Sequence, residues 1–199
     1  MLNHDDFLSQ IGDAKVISFD LFDTLVTRST KFPRDLWKYH SNTFYVLRVG
    51  AEWIVRRFSK LIGKREITVE QIYKLLPMYS QAVELLLEIE NSIPIDYVID
   101  WYREALLYKI PIYIVSDMYW HKRDLQYLLT KHGISQPNGF FVSSDYLKPK
   151  KFGLLEKVRE NHPDLEAKYF LHIGDSFEHD IIPARKIGMK TIHIGIKIE

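Results

Sequence analysis

The sequence predicts an α/β fold, a doubly wound parallel sheet with an inserted helical segment. Short apolar runs rich in β-branched and aromatic residues indicate strands, and their lack of in/out alternation indicates a sheet covered on both faces. Helical segments lie between the later runs, which is typical of a parallel sheet. The chain has 199 residues. At roughly 150 residues per domain, one core with an insertion fits this length.

The apolar runs predict four buried strands and a shorter fifth. They span residues 16–19, 110–115, 140–142, 169–173 and 191–194. Three amphipathic segments predict the connecting helices, at 121–132, 151–161 and 178–187. Gly133 and Gly188 stand where helix C-caps belong. The repeated strand, helix, strand order predicts a doubly wound, Rossmann-like core.

The first two strands are separated by residues 26–110, too many for one crossover helix. Helical patterns cover 32–58, 81–91 and 96–108, and Thr68 with Gln71 forms a capping box that predicts a short helix. We therefore predict an α/β core at 1–25 and 111–199 and a helical domain at 26–110. Trp37 and Trp53 are expected in the core of that domain. Its cations between positions 48 and 65 are expected on a solvated face.

Composition excludes several classes of protein. Lys plus Arg number 27 and Asp plus Glu 26, a net charge of +1, which argues against a general nucleic-acid binder. Zero cysteines exclude disulfides and thiolate metal sites. No apolar run reaches the roughly 18 residues of a membrane span. The first ten residues lack Lys and Arg and a sustained apolar stretch, unlike a secretory signal. A cytoplasmic protein without a membrane partner is expected.

Polar side chains follow each of the first four strands, and the carboxyl ends of parallel strands meet at one edge of a sheet. In chain order they are Asp20, Asp23, Thr24, Ser116, Asp117, Lys148, Lys150, Asp175 and Asp180. Crowded carboxylates repel one another unless a cation holds them, and hard oxygen ligands suit Mg²⁺. A hydroxyl and an ammonium bind phosphate oxygens. An aspartate beside the metal could attack phosphorus.

The ordered set resembles the haloacid dehalogenase (HAD) superfamily. It consists of Phe19-Asp20-x-x-Asp23-Thr24-Leu25, Ser116, a lysine, and Gly174-Asp175-Ser176 with Asp180. The resemblance implies a Mg²⁺-dependent phosphohydrolase whose insertion is a helical cap. It implies that Asp20 is the nucleophile and a metal ligand, and that Thr24 follows it in the motif. Ser116 and Asp117 would lie at the phosphate, with Asp175 and Asp180 at the metal.

Two positions leave alternatives open. Lys148-Pro149 looks like the common form of the phosphate-binding lysine, but Lys150 lies at a more typical distance from Ser143, and we prefer it. Position 22 is Phe22, where phosphatases of the family carry a second aspartate as general acid and base. The metal contact implied at that position is a backbone carbonyl and survives, whereas the proton donor does not.

Losing a general acid costs about 10²–10⁴ in rate. Three explanations stay open. The role of proton donor belongs to Asp23, Asp117, His121 or a residue of the cap. Otherwise the activity is slow, or the leaving group needs no proton.

The motif Phe-Asp-x-Phe-Asp-Thr-Leu, with Arg28, Pro33 and Ser116-Asp117-Met118-Tyr119, is similar to one branch of the family. That branch is associated with glycosyltransferases and surface-polysaccharide synthesis, which implies a phosphorylated sugar or polyol as substrate. The alternative is a catalytically weak or inactive domain that binds a phosphorylated ligand or a protein partner. Metal-independent hydrolysis of a haloacid is disfavoured, because it does not need both Asp175 and Asp180. The sequence leaves the oligomeric state open.

Overall fold

The computed structural model describes Ser9 and residues 11–195. Within these residues the strands are β1 (Val16–Phe19), β2 (Val26–Arg28), β3 (Ser92–Pro94), β4 (Ile112–Ser116), β5 (Gly139–Val142), β6 (Phe170–Gly174) and β7 (Lys190–His193). Five of them form one parallel sheet in the order β5-β4-β1-β6-β7. The predicted α/β fold with a doubly wound sheet is confirmed. The expectation for the first ten residues, Ser9 apart, lies outside the described residues.

The helices of the described chain divide between the insertion and the core. They are α1 (Asn42–Leu61), α2 (Val69–Tyr73), α3 (Gln81–Glu90), α4 (Asp96–Leu107), α5 (Lys122–Lys131), α6 (Ser143–Tyr146), α7 (Glu156–Glu160) and α8 (Ile182–Lys186). Short 3₁₀ helices span Pro33–Tyr39, Lys150–Phe152 and Ala167–Tyr169, and a π-helical turn spans Phe177–Ile181. No helix in the described ranges combines the length and apolarity needed to cross a bilayer.

The sheet is covered on both faces, as its unalternated strands predict. Ile17 and Phe19 of β1 belong to one buried cluster, which includes Tyr102 of α4 and Leu128 of α5. Val16 belongs to a second cluster on the opposite face, which includes residues of α7 and α8. Every residue of β1 is therefore buried. Burial of each large apolar side chain contributes about 1.5–3 kcal/mol.

Three predicted helices are interrupted in the structure, each for a local reason. The pattern at 32–58 divides at Ser41, whose side chain accepts a hydrogen bond from Phe44 N at 3.0 Å and starts α1. The pattern at 151–161 divides at Gly153, where φ is +110°. The pattern at 178–187 begins as the π-helical turn, and Pro183 occupies the first turn of α8. Apolar periodicity alone does not register these breaks.

The insertion enters and leaves the core through a two-stranded antiparallel ribbon that the sequence analysis missed. Val26 pairs with Pro94 and Arg28 with Ser92, although more than sixty residues separate the two strands. Each strand has three residues, too few for a periodic pattern. Helix α4, which follows β3, packs on the sheet. The ring of Tyr102 lies 5.4 Å from the ring of Phe19, tilted by 48°, and the Tyr102 hydroxyl donates a hydrogen bond to Ser135 O at 2.7 Å.

Candidate active site

The candidate site lies at the carboxyl end of β1, where the strand order reverses between β4 on one side and β6 on the other. Open α/β sheets bind ligands at such a switch point. Asp20 is the first residue beyond β1, and its backbone N donates to Ile173 O of β6 at 2.8 Å. A cavity of about 620 Å³ opens here between the core and the insertion. Asp20, Ser116, Asp117, Lys150, Asp175 and Asp180 all line it.

Three carboxylates converge in the cavity. Oxygens of Asp20, Asp175 and Asp180 lie within 4.8 Å of one another, and Asp20 and Asp180 are buried. The π-helical turn places Asp180, because Asp180 N donates to Ser176 O at 2.9 Å and Ser176 N donates to the Asp180 carboxylate at 3.0 Å. Gly174 makes room, since a Cβ there would collide with the Asp180 carboxyl group. The three aspartates predicted as metal ligands are thus brought together around one point, and the contact predicted for the Phe22 carbonyl stays a prediction.

Lys150 supplies the one ammonium at the centre of this cluster among the described residues. Only 4% of the residue is exposed. Its Nζ donates to Asp20 Oδ1 at 2.7 Å and also to Asp180. Its backbone N donates to Asp117 Oδ1 at 2.8 Å, so the same residue connects the loop after β4 to the cluster. Lys148, in contrast, is exposed and is not among the residues lining the cavity.

The charge balance of the cluster is uneven. Burial, assisted by the charge of Asp180, raises the pKa of Asp20 well above its usual value despite the Lys150 ammonium. Burial likewise raises the pKa of Asp175 to about 6, and the charges of Asp180 and Asp23 add to it. Although burial opposes it, the Lys150 ammonium and a hydrogen bond from His172 hold the pKa of Asp180 below its usual value. One ammonium does not compensate three carboxylates, so the donor set fits a divalent cation.

A buried polar chain supports Asp180 from behind. His172 Nε2 lies 3.3 Å from Asp180 Oδ1, and His172 Nδ1 lies 2.9 Å from Ser18 Oγ. Burial lowers the pKa of His172, which keeps the ring neutral. A neutral ring that donates through Nε2 accepts at Nδ1 from the Ser18 hydroxyl. The sequence analysis missed this pair, although His172 stands out as a histidine within a buried strand.

Thr24 and Asp23 lie behind or beside the cavity lining. Thr24 is buried, and its hydroxyl donates to Asp20 Oδ2 at 3.4 Å. Asp23 has φ of +56°, and its carboxylate accepts from the Thr27 hydroxyl at 2.7 Å. Neither residue lines the cavity. The arrangement of the side chains therefore gives no support for a contact of Thr24 or Asp23 with substrate, and the roles of both residues stay predictions.

Phe22 lies in the cavity lining, and the guanidinium of Arg28 stacks 3.9 Å from the centre of its ring. Arg28 Nε donates to Glu88 at 2.8 Å, and this pair also faces the cavity. Burial raises the pKa of Glu88 against the effect of Arg28. A cation over an aromatic ring thus lies at the position where the resemblance implies a second aspartate in phosphatases. The sequence analysis quoted Arg28 without assigning it a role.

The insertion contributes Trp37, Trp53 and Arg56 to the cavity wall. The expectation that Trp53 lies in the core of the insertion is wrong, because its side chain is exposed at the cavity. Arg48 corrects the expectation of a wholly solvated cationic face. It is fully buried and donates two hydrogen bonds to Glu84, at 2.6 and 2.9 Å. Arg57, Lys60, Lys64 and Arg65 are exposed as expected.

The comparisons with known proteins agree with this architecture. Protein-family models give no match to the chain. Curated proteins give none either. Among solved structures, the chain is similar to a HAD phosphatase from Thermococcus onnurineus, with a TM-score of 0.59 and 15% identity over 93% of this chain and 88% of that one.

It is also similar to a HAD hydrolase from Bacillus subtilis bound to magnesium (TM-score 0.63, 18% identity, 94% and 91% covered) and to an L-2-haloacid dehalogenase from Xanthobacter autotrophicus (TM-score 0.62, 13% identity, 91% and 77% covered). The chain therefore has the fold of the HAD-superfamily hydrolases. Its neighbours include both phosphatases and dehalogenases, and at these identities the likeness concerns the fold alone.

Proposed function

We propose that the protein is a Mg²⁺-dependent phosphohydrolase that acts on a small phosphorylated metabolite. The convergence of Asp20, Asp175 and Asp180 within 4.8 Å carries the proposal. Hydrolysis of a carbon–halogen bond needs one nucleophilic carboxylate, and two further acids beside it would only repel it. A phosphohydrolase needs these acids to hold the cation. Asp20, Asp175 and Asp180 would hold Mg²⁺, which when bound offsets the negative charge of the phosphoryl group and its surroundings.

Asp20 is the proposed nucleophile. In the reaction, a carboxylate oxygen of Asp20 forms a bond to phosphorus as the bond to the leaving oxygen breaks, giving an aspartyl-phosphate that water then hydrolyses. Lys150 favours the ionised form of Asp20 through its hydrogen bond at 2.7 Å, against the effect of burial. Ser116 lines the cavity beside it and offers a hydroxyl to a phosphoryl oxygen. Burial of Asp20 and Lys150 strengthens these interactions, because the local dielectric is low.

The leaving oxygen requires a proton donor, and we propose Asp117. Of the candidates from the sequence, Asp23 contacts Thr27, and His121 contacts Glu70 and Asp145. Neither lines the cavity, whereas Asp117 does. Burial raises the pKa of Asp117 above its usual value. The Lys150 ammonium and the bond from its backbone N lower that pKa, and the negative charges of Glu66 and Asp180 raise it, so that the pKa remains raised. A raised pKa favours a carboxyl group that carries a proton to donate.

A sugar or polyol phosphate is the proposed substrate class, continuing the resemblance to the polysaccharide-associated branch. Trp37 lines the cavity, and its buried indole Nε1 has no hydrogen-bond partner among the described residues. Trp53 offers an exposed ring at the same cavity. Such a mixture of rings and polar groups is typical of a site for a hydroxylated ligand.

The proposal is tested by hydrolysis of an aryl phosphate and of a panel of sugar and polyol phosphates with Mg²⁺. We expect activity that a chelator removes and that excess Mg²⁺ restores. Asp20→Asn should abolish turnover, with Asp13→Asn, at an exposed carboxylate that pairs with Lys190, as the matched control. Activity that persists in the chelator and in Asp20→Asn would refute the proposal.

Phe22 favours a second candidate, a domain that binds a phosphorylated ligand or a protein partner with little or no turnover. Phe22 stands in place of the usual proton donor, and its ring lies under the guanidinium of Arg28. Calorimetric binding of a sugar phosphate without any hydrolysis would select this function. Chloride release from a 2-chloroacid in the presence of chelator would instead select a dehalogenase.

A further inference from the structure

The outward side of α1 exposes a group of large apolar side chains, with the exposed Arg57 beside them. We call it the outer face and define it by Val46, Leu47, Gly50, Ile54, Phe58, Leu61 and Ile62. The six side chains larger than glycine are between 43% and 77% exposed. The inward side of the same helix already packs through Phe44, Arg48 and Ala51. Nothing in the described part of the chain covers the outer face, and an exposed patch of this kind marks an interaction site.

The outer face is self-complementary about Ile54. Leu47 and Leu61 lie seven residues to either side of it, and Gly50 and Phe58 lie four to either side. Two antiparallel copies of α1 that cross at Ile54 would therefore bring Leu47 against Leu61 of the partner subunit. Gly50 would meet Phe58 of the partner subunit, the smallest residue of the face against its only ring. A Cβ built on Gly50 meets no atom within 4 Å, so the space for that ring is open.

We propose that the protein forms a homodimer through the outer face, with two α1 helices packed antiparallel about Ile54. A twofold axis produces this reciprocal pattern of contacts, in which each subunit uses the same patch. The three- and four-residue spacing of a helix that packs along another helix connects Leu47, Gly50, Ile54, Phe58 and Leu61.

The area of the outer face matches such an interface. With a fully exposed large apolar side chain at roughly 150–200 Å², the exposed fractions leave on the order of 600 Å² per chain. Two copies would bury about 1,200 Å², which reaches the lower bound of stable protein interfaces.

The charges on α1 select the antiparallel arrangement. Arg57 and Lys60 lie near the C-terminal end of the helix and are exposed, and the first six residues of α1, Asn42 to Leu47, carry no charge. An antiparallel pair about Ile54 separates the like cations along the axis, by six residues (about 9 Å) for Arg57 and twelve (about 18 Å) for Lys60. A parallel pair would set the cations side by side, where like charges repel.

Sedimentation equilibrium tests the dimer. We expect wild-type protein to be dimeric at tens of micromolar and Ile54→Glu to raise the dimer dissociation constant by about 100-fold or more, because two carboxylates would meet at the axis. Leu107→Glu is the matched control, since Leu107 is 81% exposed and lies on α4. It should leave the dissociation constant unchanged. Circular dichroism and thermal unfolding would establish that both variants are folded.

Cysteine cross-linking tests the register, and the chain has no native cysteine to interfere. Ile54→Cys should form a covalent dimer with a short bis-maleimide, and Leu107→Cys should not. A monomeric wild-type protein would overturn the proposal. A dimer that survives Ile54→Glu would also overturn it. So would a monomer that binds anionic phospholipid vesicles and loses this binding in Ile54→Glu, because Arg57 and Lys60 beside an apolar face also suit a membrane surface.

Discussion

At the scale of single residues, the site contains more carboxylates than cations. Lys150 contacts Asp20 and Asp180 through its ammonium and Asp117 through its backbone. Asp175 has no such partner in the cluster, and its pKa rises to about 6 because of burial and the neighbouring charges. The cluster therefore carries an excess of negative charge at one point, and binding of a divalent cation would offset that charge.

Replacement of Lys150 by Met removes the ammonium and leaves two buried carboxylates without a counter-charge. We expect a loss of about 3–5 kcal/mol in the free energy of unfolding at neutral pH. Without the ammonium the folded-state pKa values of Asp20 and Asp180 exceed their unfolded values, so the variant gains stability as the pH falls. Urea unfolding over a pH series measures this effect. Lys148→Met, at an exposed lysine, should change stability by less than about 0.5 kcal/mol; equal losses would contradict the assignment.

Asp117→Asn separates proton donation from the other roles of the site. Asparagine keeps an oxygen for the bond from Lys150 N but has no proton to donate. We expect kcat/KM for an alkyl phosphate to fall by about 10²–10³, and for an aryl phosphate, whose leaving group needs little protonation, by less than about tenfold. Steady-state kinetics on both substrates measures the difference. The same selective loss in Asp23→Asn, with Asp117→Asn unaffected, would transfer the role to Asp23.

At the scale of elements, the segment after β4 connects the site to the insertion. Ser143 Oγ accepts from Met118 N at 2.9 Å, and Ser144 Oγ donates to Trp120 O. On the other side, Tyr119 donates to Glu84 of α3 at 2.9 Å, and Val69 N of α2 donates to Tyr119 O at 2.9 Å. The segment that follows Ser116 and Asp117 is thereby fixed to both parts of the molecule.

His121 is the pH-sensitive member of this connection. Its Nδ1 lies 2.5 Å from Asp145 and its Nε2 3.0 Å from Glu70 of α2. Although burial lowers the pKa of His121, its bonds to Asp145 and Glu70 outweigh burial and raise it. A raised folded-state pKa stabilises the protein fully below the unfolded value of about 6.5, and the contribution is lost as the pH rises through the folded value.

His121→Gln should therefore destabilise the protein most at about pH 6 and progressively less as the pH rises toward 9. At acid pH the effect should also shrink, because protonation of Glu70 removes the negative charge that His121 contacts. Although burial raises the pKa of Glu70, its hydrogen bond with His121 lowers that pKa overall. Urea unfolding of wild type and variant at each pH measures the difference. His40→Gln, at an exposed histidine with no acidic partner in the described part of the chain, is the matched control. A difference independent of pH would show that His121 acts only through packing.

At the scale of the whole molecule, the insertion and the core are joined by buried polar contacts. The Arg48–Glu84 pair lies within the insertion and receives the Tyr119 hydroxyl from the core segment. Lys131 of α5 donates to backbone oxygens at the C-terminal end of α3, including Glu90 O at 2.9 Å. His132 Nε2 lies 2.8 Å from Ser92 Oγ. These contacts span both sides of the antiparallel ribbon.

We expect the insertion and the core to unfold as one cooperative unit. Variants that retain only Trp53, in the insertion, or only Trp120, in the core, with the other tryptophans replaced by Phe, report on the two parts separately. Their fluorescence transitions in urea should coincide, because separation would expose the Arg48–Glu84 pair and the Tyr119 contact together. Glu84→Gln is expected to move both transitions by the same amount. Two resolved transitions would contradict this expectation.

The sequence by itself determined the sheet and the order of the site residues. Apolar runs such as 16–19 are long enough to identify buried strands, and the polar residue after each strand shares one edge because the strands are parallel. Asp20, Ser116, Lys150, Asp175 and Asp180 were therefore predictable as neighbours. The same cluster supports the proposed cation site, since crowded carboxylates repel one another unless a cation offsets their charge.

Only the tertiary structure decided how the remaining residues are used. The ribbon of β2 and β3 pairs segments more than sixty residues apart, and no local pattern records such pairing. The burial of Arg48, the stacking of Arg28 on Phe22 and the exposure of Trp53 depend on which faces of the insertion meet the core. Helical periodicity places a residue on one side of a helix, but packing determines whether that side meets protein, substrate or solvent.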